Sequence, residues 1–355
     1  MRQLQLNGRN FSLTHSQFNQ QKFCLFSNPR CEWFTYEASH LRLNRLGQRL
    51  PLNLFAMLEG FDHFTITTQD EPHVSIFGIR SGDASSSKRP PLLLLHGFPQ
   101  THRIWHRVAA QVKDKYNIVM IDLRGYGNSS KPADVSQYVK SLMALDAVKV
   151  MDELGITEPF FICAHDRGAR VAHKLCVNHP DRVRKAIFLD ICPTLAMYSV
   201  KDPNFAKSYW HWFFLIQREP LPETLISTNA RRFAELFMGG RQKRGLEIFE
   251  KESLAAYVSN LGDPATIHSM CQDYRASATL DLDAAQEDAK EGKLLQNPLR
   301  VIWARHGVIG KCFDAVQEWK AASNAYVDGH DVDSGHYIPE DVPDEVVSNI
   351  LDFLH

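Results

Sequence analysis

Apolar residues recur along this chain in two rhythms, and the change from one to the other marks its elements. From Phe61 onward, FTITTQD and HVSIFGI cluster or alternate β-branched and aromatic residues, which predicts two strands. GDASSSKRPP is a polar Gly/Ser/Pro loop. LLLLHG follows, an apolar run without alternation that stops at Gly97. Such a run suits a strand covered on both faces, as in a parallel sheet. The rhythm then repeats. WHRVAAQVKDKY predicts a helix, NIVMIDLRG a strand, VKSLMALDAVKVMDELG a helix, PFFICAHD a strand, ARVAHKLCVNHP a helix and VRKAIFLDI a strand. Towards the end LRVIWARHG and NAYVDGH read as strands, FDAVQEWKAAS and VPDEVVSNILDFL as helices. Strand–helix alternation of this kind predicts a mostly parallel sheet flanked by helices.

Two stretches break the pattern. Residues 194–296 are aromatic and helix-like, with YWHWFFLIQ, TNARRFAELFM and the charged tract AAQEDAKEGK. An insertion between two strands of one sheet predicts a helical cap, dividing the core into 58–193 and 297–355. Residues 1–57 are rich in Asn, Gln and Leu, lack a sustained period, and are expected to form a poorly ordered or loosely packed N-terminal extension.

Composition narrows the function classes. The 355 residues are 44% apolar, and acids and bases nearly cancel to a net charge of −1. That balance gives no electrostatic reason to expect nucleic acid, and no apolar run reaches the length of a membrane span. The seven cysteines are irregularly spaced without a CxxC pair, which fits free thiols in a reducing, cytoplasmic setting and no zinc site. The first acid is Glu32, after Arg2, Arg9, Lys22 and Arg30, so organellar targeting by the extension stays open. A small-molecule substrate is the expected partner. Self-association into a homodimer is left open.

The candidate chemistry centres on ICAHDRGAR, residues 162–170. A buried strand ends, a sharp turn follows, and Arg170 lies on the next helix. In a nucleophile elbow the reacting side chain sits on such a strained strand-to-helix turn, with small residues two places either side. Ala164 and Gly168 are those residues, and Asp166 stands where a hydrolase of this layout has serine. A carboxylate is charged at neutral pH and can attack carbon directly, leaving an ester. An Asp before a helix is equally at home as an N-cap, and the motif alone does not choose. HGFP at 96–99 offers a backbone N–H for an oxyanion, with that of Arg167. Arg167 and Arg170 place two cations in a helix's first turn, where the dipole disfavours them; they want an anion, either Asp166 or a bound carboxylate held bidentately. Chain order nucleophile, acid, histidine favours His336 as base, in the loop before the last helix, over His330 at a strand end. Asp122 and Arg124 are expected to be structural.

Seven segments, HGFPQTHRIWH, DLRGYGNSSKP, HDRGAR, FLDICPT, YWHWFF, CQDYRA and SGHYIPED, resemble the haloacetate (fluoroacetate) dehalogenase family of α/β-hydrolases. The resemblance runs from about Leu58 to the C-terminus. It implies an α/β-hydrolase fold with an inserted helical cap and cleavage of a 2-haloacid to a 2-hydroxy acid without metal or organic cofactor. It implies Asp166 as nucleophile, His336 as general base, Asp190 as the acid orienting it, and Arg167 and Arg170 as holders of the substrate carboxylate. The N–H groups of Phe98 and Arg167 would receive the oxyanion, and His211, Trp212 and Tyr274 would bind the halide. Asp314 competes with Asp190 for the acid's place. The family often has glycine where Ala164 stands. Epoxide hydrolysis by the same Asp/His pair is the nearest rival, although Arg167 stands where such enzymes usually carry tryptophan. A non-catalytic ligand binder on the same fold is the second.

Overall fold

The computed structural model describes residues 58–82 and 88–355, and of the first 57 residues only the backbone of four short strands. These are β1 (Arg2–Leu6) antiparallel to β2 (Arg9–Leu13), and β3 (Lys22–Phe23) antiparallel to β4 (Phe34–Thr35). The expected looseness of 1–57, any targeting role, and the middle of the GDASSSKRPP loop otherwise lie outside the described residues. The chain divides into two compact units at 56/57, and every candidate residue belongs to the second.

That unit is built on eight strands: β5 (Phe61–Gln69), β6 (Val74–Ser81), β7 (Pro91–Leu95), β8 (Asn117–Ile121), β9 (Phe160–His165), β10 (Val183–Leu189), β11 (Leu299–Ala304) and β12 (Val327–Val332). Their order is β12-β11-β10-β9-β7-β8-β6-β5. The hairpin β5–β6 enters antiparallel at one edge, and all pairings from β8 to β12 are parallel. The unbroken apolar runs take the centre. Every residue of β7 and β9 is buried, because successive side chains point to opposite faces and helices cover both. Leu93 and Leu95 join one core with Met143, Val171, Leu175 and Trp319. Leu92 and Leu94 join another with Val108, Val112, Val346 and Ile350. Edge strand β5, by contrast, mixes exposed and buried positions.

The connecting helices are α1 (His106–Val112), α2 (Lys140–Glu153) and α3 (Arg167–Asn178). Between β10 and β11 come eight more: α4 (Thr194–Tyr198), α5 (Pro203–Ser208), α6 (Trp210–Leu215), α7 (Leu221–Thr228), α8 (Ala230–Gly239), α9 (Lys251–Asn260), α10 (Pro264–Ala278) and α11 (Leu280–Lys290). β10 and β11 are neighbours in the sheet, so this long excursion leaves the ladder intact. Its start points are written locally. Asn229 accepts from the Arg232 N–H to cap α8; Asp263 caps α10 on the Ala265 N–H, with Pro264 at the first helical position. The chain ends with α12 (Val308–Cys312), α13 (Ala315–Ala321), α14 (Ile338–Asp341) and α15 (Pro343–Phe353). The last strand differs from the sequence expectation. It runs to Val332, two residues past His330, because Asp331 and Val332 still pair with Trp303 and Ala304 of β11. Among the described residues no helix is long and apolar enough to cross a membrane.

Candidate active site

β9 ends at His165 and α3 begins at Arg167, so the whole turn is made by Asp166, at φ 49° and ψ −113°. This positive φ is rare for a side chain other than glycine and costs energy that tight packing must supply. The packing is there. A Cβ on Gly168 would lie 2.4 Å from the His96 carbonyl oxygen, and one on Gly97 would lie 2.5 Å from the Asp166 Cβ. Asp166 occupies the N-cap position but its side chain makes no capping bond. Its Oδ1 instead accepts the Phe98 N–H at 3.0 Å. Phe98 is held in place by the preceding turn, where His96 accepts the Leu123 N–H on Nε2 and lies 3.0 Å from the Gly97 carbonyl on Nδ1.

The last loop brings His336 to the same point. Its Nδ1 lies 2.6 Å from Asp190 Oδ2, and Asp190 Oδ1 accepts the Ala304 N–H at 3.0 Å. Asp190 follows β10 and, like Asp166, has a positive φ, 52°. With Nδ1 donating to Asp190, the neutral form of the ring has its lone pair on Nε2. Nε2 lies 3.6 Å from Asp166 Oδ2, beyond a hydrogen bond, and has no partner. His165 fixes the loop by donating from Nε2 to the His336 carbonyl at 2.8 Å. Asp166 is 3% exposed. Burial alone would raise its carboxyl, but His336, His165 and Arg167 together with the Phe98 N–H outweigh that and hold it at about 2. It is therefore a carboxylate at neutral pH. Asp314 is far from this role: its side chain caps α13 on the Gln317 N–H. His330 is exposed on β12. Asp122 accepts from His102 and the Asn128 N–H, and Arg124 pairs with Asp146, as structural residues would.

The two arginines differ from the sequence expectation. Arg167 does not have a free fork. Its Nε and Nη2 donate to the two carboxylate oxygens of Asp273 at 2.9 and 2.6 Å, and Nη2 also reaches Ser277 Oγ. Arg170 donates from Nη1 to Thr194 Oγ1 at 2.7 Å and from Nη2 to Met197 Sδ at 3.1 Å. Each nevertheless keeps one buried nitrogen without a partner, Nη1 of Arg167 and Nε of Arg170.

α6 and α10 carry the aromatic candidates to the Phe98 ring. His211 and Tyr274 ring centroids lie 6.2 and 5.2 Å from it, and Trp212 lies 6.4 Å from Tyr274. The His211 Nδ1 and Trp212 Nε1 have no partners. His211 Nε2 lies 3.1 Å from Arg241 Nη1; a guanidinium only donates, so Nε2 accepts and Nδ1 bears hydrogen. Burial and the Arg241 charge keep this imidazole neutral. Burial and Asp166 both raise the Tyr274 hydroxyl, so it too stays protonated.

Comparison with known proteins gives the family of the fold that carries these residues. The family model described as alpha/beta hydrolase fold matches residues 90–343. A fluoroacetate dehalogenase of Burkholderia sp is 36% identical over 84% of this chain and 95% of its own. A soluble epoxide hydrolase of Corynebacterium sp is 29% identical over 79% and 95%. A solved structure from Nostoc sp PCC 7120, described as an alpha/beta hydrolase, superposes with a TM-score of 0.78 at 40% identity, over 84% of this chain and 99% of that one. The chain is a haloacetate dehalogenase-like α/β-hydrolase.

Two features of this α/β-hydrolase were assigned no role from its motifs, although the first lies within CQDYRA. The first is Asp273, fully buried, which accepts from Lys140 Nζ at 2.6 Å and Tyr126 OH at 2.6 Å besides Arg167. The second is Arg241, in the turn after α8; a basic run, RQKR, carried no signal beyond a solvated loop. Among the described residues Glu219, Glu223 and His268 stand close enough to share a cation, but they are not part of the hydrolase triad, and Glu223 is already paired with Arg275. A cavity of about 390 Å³ is lined by Arg170 together with residues of α2, α3, α4, α11 and α13, a mixture of apolar and charged side chains.

Proposed function

We propose that the protein hydrolyses a 2-haloacid, of which haloacetate is the simplest, to the 2-hydroxy acid and halide through an ester on Asp166. One observation carries the reading. Arg167 and Arg170, one helical turn apart beside a buried carboxylate, each keep a single unpaired nitrogen. Leaving a charged donor buried and unsatisfied costs several kcal/mol, on the order of 1–3 or more, so two of them are best explained by an acidic substrate that satisfies both. A neutral epoxide gives them no partner.

The substrate carboxylate then lies on Arg167 Nη1 and Arg170 Nε, which holds the neighbouring carbon for attack. Asp166 Oδ2 displaces the halide from that carbon, forming the C–O bond as the C–X bond breaks. The halide leaves with the electron pair towards the hydrogens on His211 Nδ1, Trp212 Nε1 and Tyr274 OH. Oδ1, already on the Phe98 N–H, is now the ester carbonyl oxygen. His336 Nε2 takes a proton from water, whose oxygen adds to the ester carbon. The oxyanion is stabilised by the Phe98 and Arg167 N–H groups. On collapse the bond from the ester carbon to the substrate oxygen breaks, that oxygen takes the proton back from the imidazolium supported by Asp190 and leaves as the hydroxy acid, and the Asp166 carboxyl loses its proton to solvent to return as the carboxylate.

The test is halide and hydroxy-acid release from fluoro-, chloro- and bromoacetate, beside diol formation from styrene oxide. Release of halide from at least one haloacetate, abolished in Asp166→Ala, is expected. Turnover of styrene oxide with none of any haloacetate would replace this reading by epoxide hydrolysis. Ligand binding without either turnover would replace it by a non-catalytic binder.

A further inference from the structure

Three arginines interact electrostatically with the Asp166 carboxylate, and a haloacetate accounts for two. Arg167 and Arg170 reserve one nitrogen each, enough for the two oxygens of one carboxylate. Arg241 is left over. Its guanidinium donates one hydrogen bond, to His211, and lies over the rings of Tyr209 and Phe237 at 5.4 and 5.2 Å. Among the described residues no carboxylate forms an ion pair with it, and the acid whose field it feels is Asp166 itself. A half-buried cation without a counter-ion is costly. Aromatic faces recover only part of that cost.

Its surroundings are also short of partners. The Tyr209 hydroxyl, the Tyr337 hydroxyl and both polar atoms of the Gln242 amide are buried and unpaired. The Arg241–Gln242 segment is pressed against the catalytic loop: a Cβ on Gly335 would come within 2.1 Å of Gln242 Oε1 and 2.6 Å of the Arg241 carbonyl oxygen. Packing thus holds this polar group one residue from His336. Arg167 and Arg170 are buried and Arg241 is half-buried.

We infer that Arg241 receives a second acid group, and that the preferred substrate is a 2-halodicarboxylic acid. Resting on the proposed dehalogenation, the inference adds to it the chemistry at the far end of the substrate. The carboxylate next to the halogen-bearing carbon lies on Arg167 and Arg170. The distal carboxylate lies on Arg241, with hydroxyl and amide donors of Tyr209 and Gln242 available to it. The bonds made and broken are those already given, and the product is a 2-hydroxydicarboxylic acid.

The experiment compares kcat/KM for 2-chlorosuccinate and chloroacetate by halide release, in the full chain and in Arg241→Gln and Arg241→Lys. The wild type is expected to favour chlorosuccinate by about tenfold or more, since a charge-assisted pair is worth at least about 1.4 kcal/mol. Arg241→Gln is expected to lower that preference about tenfold, mainly through KM, and Arg241→Lys to keep most of it. Both substrates will slow somewhat in the glutamine variant, because His211 loses its donor; the ratio isolates the distal acid. A wild-type preference for chloroacetate, or a ratio unchanged in Arg241→Gln, overturns the inference and leaves dehalogenation standing. Should the glutamine variant not fold, the wild-type ratio and the lysine variant decide it. Halide release from neither substrate would overturn both readings together.

Discussion

At the scale of single residues the site is a matter of which atom faces which. Asp166 presents two oxygens to different neighbours: Oδ1 to the Phe98 N–H, Oδ2 towards the lone pair of His336. The 3.6 Å separation on the second side is too long for a direct bond, and it suits a histidine whose work is on water rather than on the attacking group. If so, the histidine matters only after the ester exists. His336→Asn is expected to consume one equivalent of haloacid, release one equivalent of halide and stop. The peptide containing Asp166 should gain the mass of one carboxymethyl group, read by mass spectrometry after digestion. An unmodified peptide after halide release would rule out an ester at Asp166. Much of this was legible in the sequence, since the strand–turn–helix frame around HDRGAR and the chain order up to His336 fix which side chains meet. The preference for Asp190 over Asp314 came from the resemblance and not from the residue pattern. Both follow strands, and only the 2.6 Å contact with His336 separates them.

At the scale of elements α10 does two jobs from consecutive positions. Tyr274 faces the Phe98 ring, and Asp273 locks Arg167 at the start of α3. Arg167 and Lys140 converge on that one fully buried carboxylate, with the Tyr126 hydroxyl as a third donor. Removing its charge would leave Arg167 without a carboxylate and Lys140 with Asp281 at 3.2 Å. Asp273→Asn is therefore expected to cost about 3–5 kcal/mol of stability and to raise KM for the haloacid, as Arg167 loses its anchor. Denaturant unfolding and steady-state kinetics check the two effects, and a loss below about 1 kcal/mol would mean the ion pairs contribute little. Sequence reasoning could not find this network. Its partners are 106, 133 and 147 positions apart, and no local pattern pairs an aspartate in one helix with an arginine that far away. For the same reason the arginines were expected to offer whole forks, when each offers one nitrogen.

For the molecule as a whole, the fold was the most legible part. Buried parallel strands need apolar residues on both faces, so they announce themselves as unbroken runs such as LLLL and FFICA. Less legible is how the inserted helices are tied to the sheet domain. One tie is Glu340, on α14, which accepts from Tyr257 OH of α9 at 2.7 Å and from Gln100 at 3.3 Å. Its other oxygen has no hydrogen-bond partner and lies 3.9 Å from His106 Nδ1, and burial pushes its carboxyl up to about 8. The folded state thus keeps a proton here that the unfolded chain, with an ordinary carboxyl near 4.5, has lost. Stability from this group is complete below about pH 4.5 and declines as pH rises towards 8. Even one unit of that shift is worth about 1.4 kcal/mol. Glu340→Gln, which is neutral at every pH, is expected to flatten the fall in Tm between pH 5 and pH 8 and to melt higher than wild type at the upper end. Parallel Tm–pH curves for the two proteins would mean that Glu340 is ionised throughout.

The two bent carboxylates at the ends of β9 and β10 have a further consequence. Aspartate and asparagine are the non-glycine residues that best tolerate positive φ, and they differ by one heavy atom at the tip. On the proposed function, an exchange at position 166 would preserve the bend, the pocket and the reserved arginine nitrogens while removing the power to attack. By the same reading, a single oxygen-for-nitrogen replacement would turn the chain into a sensor that captures the same acids and never changes them. Overall shape is blind to that difference between an engine and a detector.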